Sequence, residues 1–297
     1  MSFSSDVKKE LLGQVPRSRH CQLAELAGIL EFEGEITENP FTLQLTSENP
    51  VVIEKYAILM KKCFGIDISK AIQGDIAITI LQALKWMTGN ENEIKLPLNE
   101  QKTNGILLQK ACCKRAFLRG AFMAAGSVSD PNKSYHFEIV CKTKEQGQQL
   151  IELIEEFEIE AKVVERKGHF VVYVKEGSGI VDMLNVMEAY VSLMNLENVR
   201  ILKEMRNSVN RKVNCETANI NKTVNAAVKQ IEDIMLIRDT IGLDDLPDSL
   251  REMALLRLEY PEAALKELGN YLDPPVGKSG INHRLRKLAA IADDLRG

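Results

Sequence analysis

No apolar run in this chain approaches the ~20 residues needed to span a bilayer. The first ten residues, Met1 to Glu10, carry no apolar core of the signal-peptide kind. Together these absences predict a cytoplasmic protein with no membrane partner. The six cysteines are Cys21, Cys63, Cys112, Cys113, Cys141 and Cys215, and none forms a Cys-x-x-Cys pair. That spacing argues against a structural zinc site or a redox pair, so neither metal nor cofactor is expected. Cys112 and Cys113 sit side by side in an apolar helical stretch and read as small core residues. Disulfides are not expected in a reducing cytosol. A strong charge of either sign is also missing, the formal net charge being −4. This disfavours a protein that coats nucleic acid uniformly, yet a local basic patch can still attract phosphate.

What is present is ordinary in bulk and unusual in pattern. At 297 residues, with 45% hydrophobic and 27% charged residues, the chain is of a size and composition for two or three soluble domains. One segment occurs twice, Leu26-Ala27-Gly28-Ile29-Leu30-Glu31-Phe32-Glu33-Gly34 and Leu118-Arg119-Gly120-Ala121-Phe122-Met123-Ala124-Ala125-Gly126, at an offset of 92 residues. Both copies strip bulk from a helix face and end on glycine. Tight helix packing alone accounts for one such copy; two copies in matching contexts are more specific. Only the first carries a carboxylate before its glycine, Glu33 against Ala125.

Each copy opens a unit of similar element order. In the first unit a short helix over 4–13, opened by Ser4 or Ser5, precedes the motif helix at about 19–32. A hairpin of Glu33–Thr37 and Phe41–Thr46 follows, turning at Asn39-Pro40. Apolar spacing through Val52, Tyr56, Leu59, Met60 and Cys63 predicts a helix over 51–64. Strands are predicted near Ile66–Ile72 and Asp75–Ile80, then a helix near 80–88 holding the only tryptophan, Trp86. The polar stretch from Thr88 to Glu93 marks a boundary. The second unit repeats the order: a motif helix at 105–125, a turn at Ser129–Asn132 and a strand at Tyr135–Cys141. A helix at 143–157, β-branched strands at 161–167 and 169–175, and a helix from Gly179 complete it.

In this setting the doubled motif resembles the LAGLIDADG homing endonucleases. That resemblance implies two motif helices packed at the centre of a pseudo-symmetric αββαββα repeat. It also implies an acidic residue at each helix foot holding divalent metal at the scissile phosphates. Glu33 occupies the first acidic position, but Ala125 at the second cannot bind metal, and Met123 supplies no substitute. Double-strand cleavage needs ligands from both halves, so the expectation is a vestigial site at Glu33.

Residues 196–240 are helical in propensity but polar, with Asn207, Asn210, Asn214, Asn219, Asn221 and Asn225 among Arg200, Lys203, Arg206, Arg211, Lys212 and Lys222. They read as a connecting segment in which Arg206, Arg211 and Lys212 either offer secondary phosphate contacts or only pack between domains, packing being slightly favoured. Beyond it Pro247 and Pro261 suit first-turn helix positions, and Pro274-Pro275 breaks the pattern. A helix over 261–272 places Ala264, Leu265, Leu268 and Leu272 on one face. The next helix, from about Lys278, turns Ile281, Leu285, Leu288 and Ile291 inward. Its first turns expose Lys278, Ser279, Asn282, His283, Arg284, Arg286 and Lys287, with no acidic residue over 278–287. This is the pattern of a helix-turn-helix, whose second helix enters the major groove by its N-terminal half. Arg bonds guanine and Asn bonds adenine bidentately, while Lys and Ser hold phosphates. A solvated basic face on an ordinary helical hairpin is the plainer alternative. Gly277-Lys278-Ser279 mimics the end of a phosphate-binding loop, but Leu272 stands where the earlier glycine is required.

A degenerate LAGLIDADG repeat followed by a C-terminal helix-turn-helix resembles the WhiA family of Gram-positive transcriptional regulators. Three further segments carry the likeness: Gly126–Pro131 with Tyr135-His136, Asn210–Asn219, and Pro274–Gly280 with Asn282–Leu288. The resemblance implies an α+β fold, a duplicated αββαββα domain joined to an all-α helix-turn-helix domain. The boundaries read as residues 1–90 and 91–196 for the repeats, 197–225 for a polar helical linker and 226–297 for the DNA-binding domain. It also implies a cytoplasmic, nucleoid-associated regulator of promoter DNA without nuclease activity, linked to sporulation, cell division or chromosome segregation. The repeat domain is expected to contact either DNA or other transcription or division proteins, the two readings standing level. The competing class is a metal-dependent nuclease or nucleic-acid-processing factor using Glu33.

Overall fold

The computed structural model describes residues 2–38, 41–67, 71–86, 103 and 105–297. It divides into two compact units, Met1–Lys203 and Glu204–Gly297. The predicted turn at Asn39-Pro40 and the boundary stretch 88–93 lie outside the described residues.

In the first unit the motif helices are α2 (Arg19–Glu33) and α5 (Ala111–Ala125), and they form the centre. Their seam is backbone on backbone. A Cβ on Gly28 would lie 2.4 Å from the Phe117 carbonyl oxygen, and one on Gly120 would lie 2.2 Å from that of Glu25. Only glycine permits this approach, which is why both copies of the motif carry one. An ion network crosses the same seam. Arg119 donates through Nε to Glu25 Oε1 at 3.0 Å and through Nη2 to Glu25 Oε2 at 3.2 Å. Its Nη1 donates to Glu188 Oε2 at 2.7 Å. Lys55 Nζ stands 2.8 Å from Glu25 Oε1 and donates to the Leu11 carbonyl at 2.9 Å. Burial pulls the Lys55 ammonium below its ordinary pKa, and the Glu25 carboxylate opposes that shift.

Around this pair the halves repeat. α1 (Phe3–Gly13) leads into α2, capped by the Ser2 hydroxyl, which accepts from the Ser5 N–H, and not by Ser4 or Ser5. Strands β1 (Gly34–Glu38), β2 (Phe41–Leu45) and β3 (Ala71–Gln73) form an antiparallel sheet, Ile36 facing Leu43 and Leu43 facing Ile72. α3 (Pro50–Phe64) connects them, capped by the Asn49 side chain. The segment predicted as a strand over Asp75–Ile80 is instead the start of α4 (Asp75–Ala83), so the helix expected near 80–88 begins and ends earlier, leaving Trp86 outside it. Gly74, at φ +64°, turns the chain into it, and buried Ala77, Ile80 and Leu81 follow helical spacing, overriding the β-branched composition. In the second half α5 starts at Ala111, six residues later than expected. A strand not foreseen, β4 (Gly126–Val128), pairs with β5 (Phe137–Cys141). α6 (Lys144–Glu155) opens on a Thr143–Gln146 capping box. Strands β6 (Lys162–Arg166) and β7 (His169–Val174) complete a sheet of order β4-β5-β7-β6, followed by α7 (Gly177–Val186).

Glu31, on α2, is buried with one carboxylate oxygen unpartnered and the other accepting from the Thr103 hydroxyl. Burial pushes its carboxyl from 4.5 up to about 7, against the pull of the Thr103 hydrogen bonds. The folded chain therefore keeps a proton that the unfolded chain releases, and stability falls as pH rises between those two values. The slope is at most about 1.4 kcal/mol per pH unit, and the full penalty persists above the folded pKa. Glu31→Gln, which keeps the shape without the charge, is expected to gain on the parent steadily across this window. Urea unfolding of both proteins at several pH values measures it, and a pH-independent difference contradicts it.

Candidate nucleic-acid interface

The second unit is built on the C-terminal end of α8 (Tyr190–Thr240), with α9 (Asp248–Glu259), α10 (Leu265–Asn270) and α11 (Lys278–Arg296). Its core joins Ile234 and Ile237 of α8 to Leu250, Met253 and Ala254 of α9, Leu268 and Leu272, and Ile281, Leu285, Leu288 and Ala292 of α11. Pro247 directly precedes α9. Pro261 lies outside any helix, because the chain turns at Tyr260–Ala263 before α10. The helix expected over 261–272 is thus shorter, and Ala264 is exposed instead of core-facing. Buried Arg257 holds that turn: its Nη1 donates to the carbonyls of Tyr260, Pro261 and Ala263 at 3.4, 3.3 and 2.8 Å. Sequence reasoning missed Arg257, since nothing in its spacing sets it apart from a surface arginine. The connection to α11 is closed where Val276 N–H donates to the Gly269 carbonyl at 2.9 Å. A Cβ on Gly269 would lie 2.0 Å from the Val276 carbonyl oxygen.

With Ile281, Leu285 and Leu288 committed to the core, helical spacing fixes the opposite face of α11. Ser279, His283 and Arg286 lie along the middle of it, with Lys287 beside them, and all four are exposed. Lys278 is exposed and Asn282 half-buried on one flank. Arg284 lies on the other flank and is turned toward α9. Its Nη1 is 3.5 Å from the Ser249 carbonyl and 3.6 Å from Glu252 Oε2. Lys278, Lys222 and Lys266 converge on a groove of about 440 Å³ floored by Ala226, Ala227 and Leu265. Only Lys278 of these three was expected; the other two are brought in by α8 and α10. The acidic residues of α11, Asp293 and Asp294, come well after Lys287, and Asp293 accepts from Arg296 Nη1 at 2.7 Å.

Arg206, Arg211 and Lys212 are exposed along α8. The segment expected as a polar connector is one continuous helix that also exposes an apolar stripe, Met205, Val209, Val213, Ile220 and Val224.

At the foot of the motif helices the residues do not fit the divalent metal that the LAGLIDADG likeness implies. Glu33 ends α2 and Ala125 ends α5 with only a methyl group. One oxygen of Glu33 is buried without a hydrogen-bond partner, and burial holds the nearby Lys8 ammonium below its ordinary pKa against the opposing pull of the Glu33 charge. A carboxylate matched by a methyl group at the other helix foot does not supply the two-sided ligand set of two-strand hydrolysis. Ile36, Leu43 and Ile72 face the core, so Glu35, Thr37, Gln44 and Gln73 face outward, with no Lys or Arg among them.

Comparison with known proteins matches both units to one family. Residues 114–206 match the model of the WhiA LAGLIDADG-like domain, and residues 209–292 that of the WhiA C-terminal HTH domain. The chain is 51% identical to a probable cell division protein WhiA of Lachnoclostridium phytofermentans, over 100% of both chains. It is 49% identical to one of Lachnospira eligens, over 100% of this chain and 98% of the other. The crystal structure of full-length WhiA from Thermatoga maritima superposes with a TM-score of 0.58 at 24% identity, covering 99% of each chain, a likeness of fold. Among the described residues no helix is long and apolar enough to cross a membrane.

Proposed function

The chain belongs to the WhiA family, and from that premise we propose that it is a sequence-specific DNA-binding transcriptional regulator that does not cleave DNA. The observation that carries this is the exposed, acid-free N-terminal face of α11, held rigidly over a packed three-helix core. A helix so mounted enters the major groove by its first turns. Arg286 and Asn282 are the base readers, with His283 beside them. Lys278, Ser279 and Lys287 hold phosphates, and Lys222 and Lys266 extend that contact from the groove next to Lys278. Arg284 positions α11 through Glu252. Arg206, Arg211 and Lys212 add phosphate contacts along α8.

On this reading residues 226–297 recognise DNA, 197–225 are the linker, and 1–90 and 91–196 are two repeats kept as a scaffold after the loss of the acidic pair. The scaffold docks transcription or division proteins. Its first sheet lacks the outward cations a DNA saddle needs, and Ala125 removes the metal chemistry of the nuclease alternative. The curated relatives carry the name of a cell division protein, so the regulated process is division or chromosome segregation, with sporulation in lineages that sporulate. The protein works in the cytoplasm, on the nucleoid.

Crosslinking the chain to DNA in cells and sequencing what is recovered tests the reading. Discrete peaks upstream of transcription units, with transcripts of the flanking genes altered on deletion, are expected. Even coverage with unaltered transcripts contradicts regulation and leaves architectural binding.

A further inference from the structure

The two dipeptides His20-Cys21 and Cys112-Cys113 stand 92 residues apart, the same offset as the two motif copies. Each occupies the second and third positions of its motif helix, at the end far from Glu33 and Ala125. The fold brings all four side chains together: His20 Nδ1 is 3.2 Å from Cys113 Sγ and 3.2 Å from Cys21 Sγ. The four candidate ligand atoms lie within 4.8 Å of one another. A zinc ion bound by three thiolates and one imidazole at about 2.3 and 2.0 Å has ligand–ligand edges of about 3.5–3.8 Å, so the cluster needs side-chain adjustments of up to about 1 Å to close on one.

From this juxtaposition we infer a Cys₃His zinc site that staples the N-terminal ends of the two motif helices. The ligand set is closed, which is the signature of a structural and not a catalytic ion. The site is distinct from the metal position of LAGLIDADG enzymes, lying about 20 Å away along α2 by helix rise. Zinc enters from the side of Cys112, which is exposed, while Cys21 and Cys113 are buried. On binding, each of the three Sγ atoms forms a bond to zinc as its proton passes to solvent, and His20 binds through the Nδ1 lone pair. Both first helical turns lack a side-chain cap at Ser18 and Lys110, leaving their amide dipoles to stabilise the thiolates. Cys-x-x-Cys spacing is not a signal for this cluster, because each half supplies an adjacent pair and only the repeat's symmetry unites them. The expectation that Cys112 is a core residue is corrected by its exposure.

The intact chain, purified in reductant, is assayed for bound metal by native mass spectrometry. It is then stripped and titrated with Zn²⁺ or Co²⁺. One zinc per chain is expected, with the intense visible absorption of tetrahedral cobalt–thiolate. Cys112→Ser, at an exposed position, should keep the helical circular dichroism and weaken Co²⁺ binding by roughly 100-fold or more, beyond the loss of an outer-shell partner. His20→Gln should do the same, and Cys215→Ser should change nothing. A chain that retains no zinc, a pale octahedral cobalt spectrum, full affinity in Cys112→Ser, or a Cys21–Cys113 disulfide in the reduced preparation each overturns the site. The native mass measurement needs no variant, so a substitution that unfolds the chain leaves the proposal exposed to refutation.

Discussion

Gly120→Ala is expected to unfold the first unit or leave it barely stable. The new methyl group would meet the Glu25 carbonyl oxygen at 2.2 Å and the Ile29 backbone nitrogen at 3.1 Å. Neither is the end of a flexible side chain, so α2 and α5 must separate along their length. Ordinary overpacking costs about 1–3 kcal/mol. Here separation also stretches the Arg119–Glu25 pair, whose charges are buried with little water to replace each other. A loss of about 4 kcal/mol or more is the expected result, a large share of the 5–15 kcal/mol typical of a domain. Gly28→Ala, 2.4 Å from the Phe117 carbonyl oxygen, acts on the same seam and should add little once Gly120 is substituted. Urea unfolding followed by circular dichroism measures both. Wild-type stability in Gly120→Ala would mean the helices do not touch as described.

Asn282→Ala with Arg286→Ala is expected to remove sequence discrimination by α11. Each bidentate base contact is worth about 1–3 kcal/mol, so the pair should cost roughly 30- to 10⁴-fold against a specific duplex. Binding to unrelated DNA should change far less, since Lys278 and Lys287 still hold phosphates. Arg284→Ala should behave differently. Its guanidinium reaches Glu252 and the Ser249 carbonyl, partly in solvent, and an ion pair of that kind is worth about 0–1 kcal/mol. The substitution should loosen α11 slightly and lower specific and non-specific affinity together. A double variant with an unchanged specificity ratio would sink the assignment of base reading to this helix.

The readable and unreadable parts of this protein differ for physical reasons. The motif helices could be placed from sequence because close backbone approach demands small residues, and small residues occurring twice leave a visible repeat. The α11 face could be read for a similar reason: apolar residues at helical spacing fix which side remains for DNA. Asp75–Ile80 was misread because β-branched alternation mimics a strand, while the start of a helix there depends on Gly74 at positive φ. The Glu25–Lys55–Arg119–Glu188 network left no trace in local pattern, since its members come from four separate stretches and each alone looks like a surface charge. Arg257 was missed on the same account. α8 looked like a connector because its asparagines and cations hid a stripe of Met205, Val209, Val213, Ile220 and Val224 along one unbroken helix.

The central claim, a DNA-reading tail on a repeat that has lost its cleavage chemistry, is tested most directly in one tube. The intact chain is mixed with a pool of short genomic duplexes and Mg²⁺ across a salt series, and both retained sequences and strand breaks are scored. The account predicts an enriched motif, intact DNA at every salt concentration, and the same outcome for Glu33→Ala. Salt-sensitive retention without enrichment would contradict sequence-specific recognition, and strand breaks that disappear in Glu33→Ala would contradict the loss of catalysis.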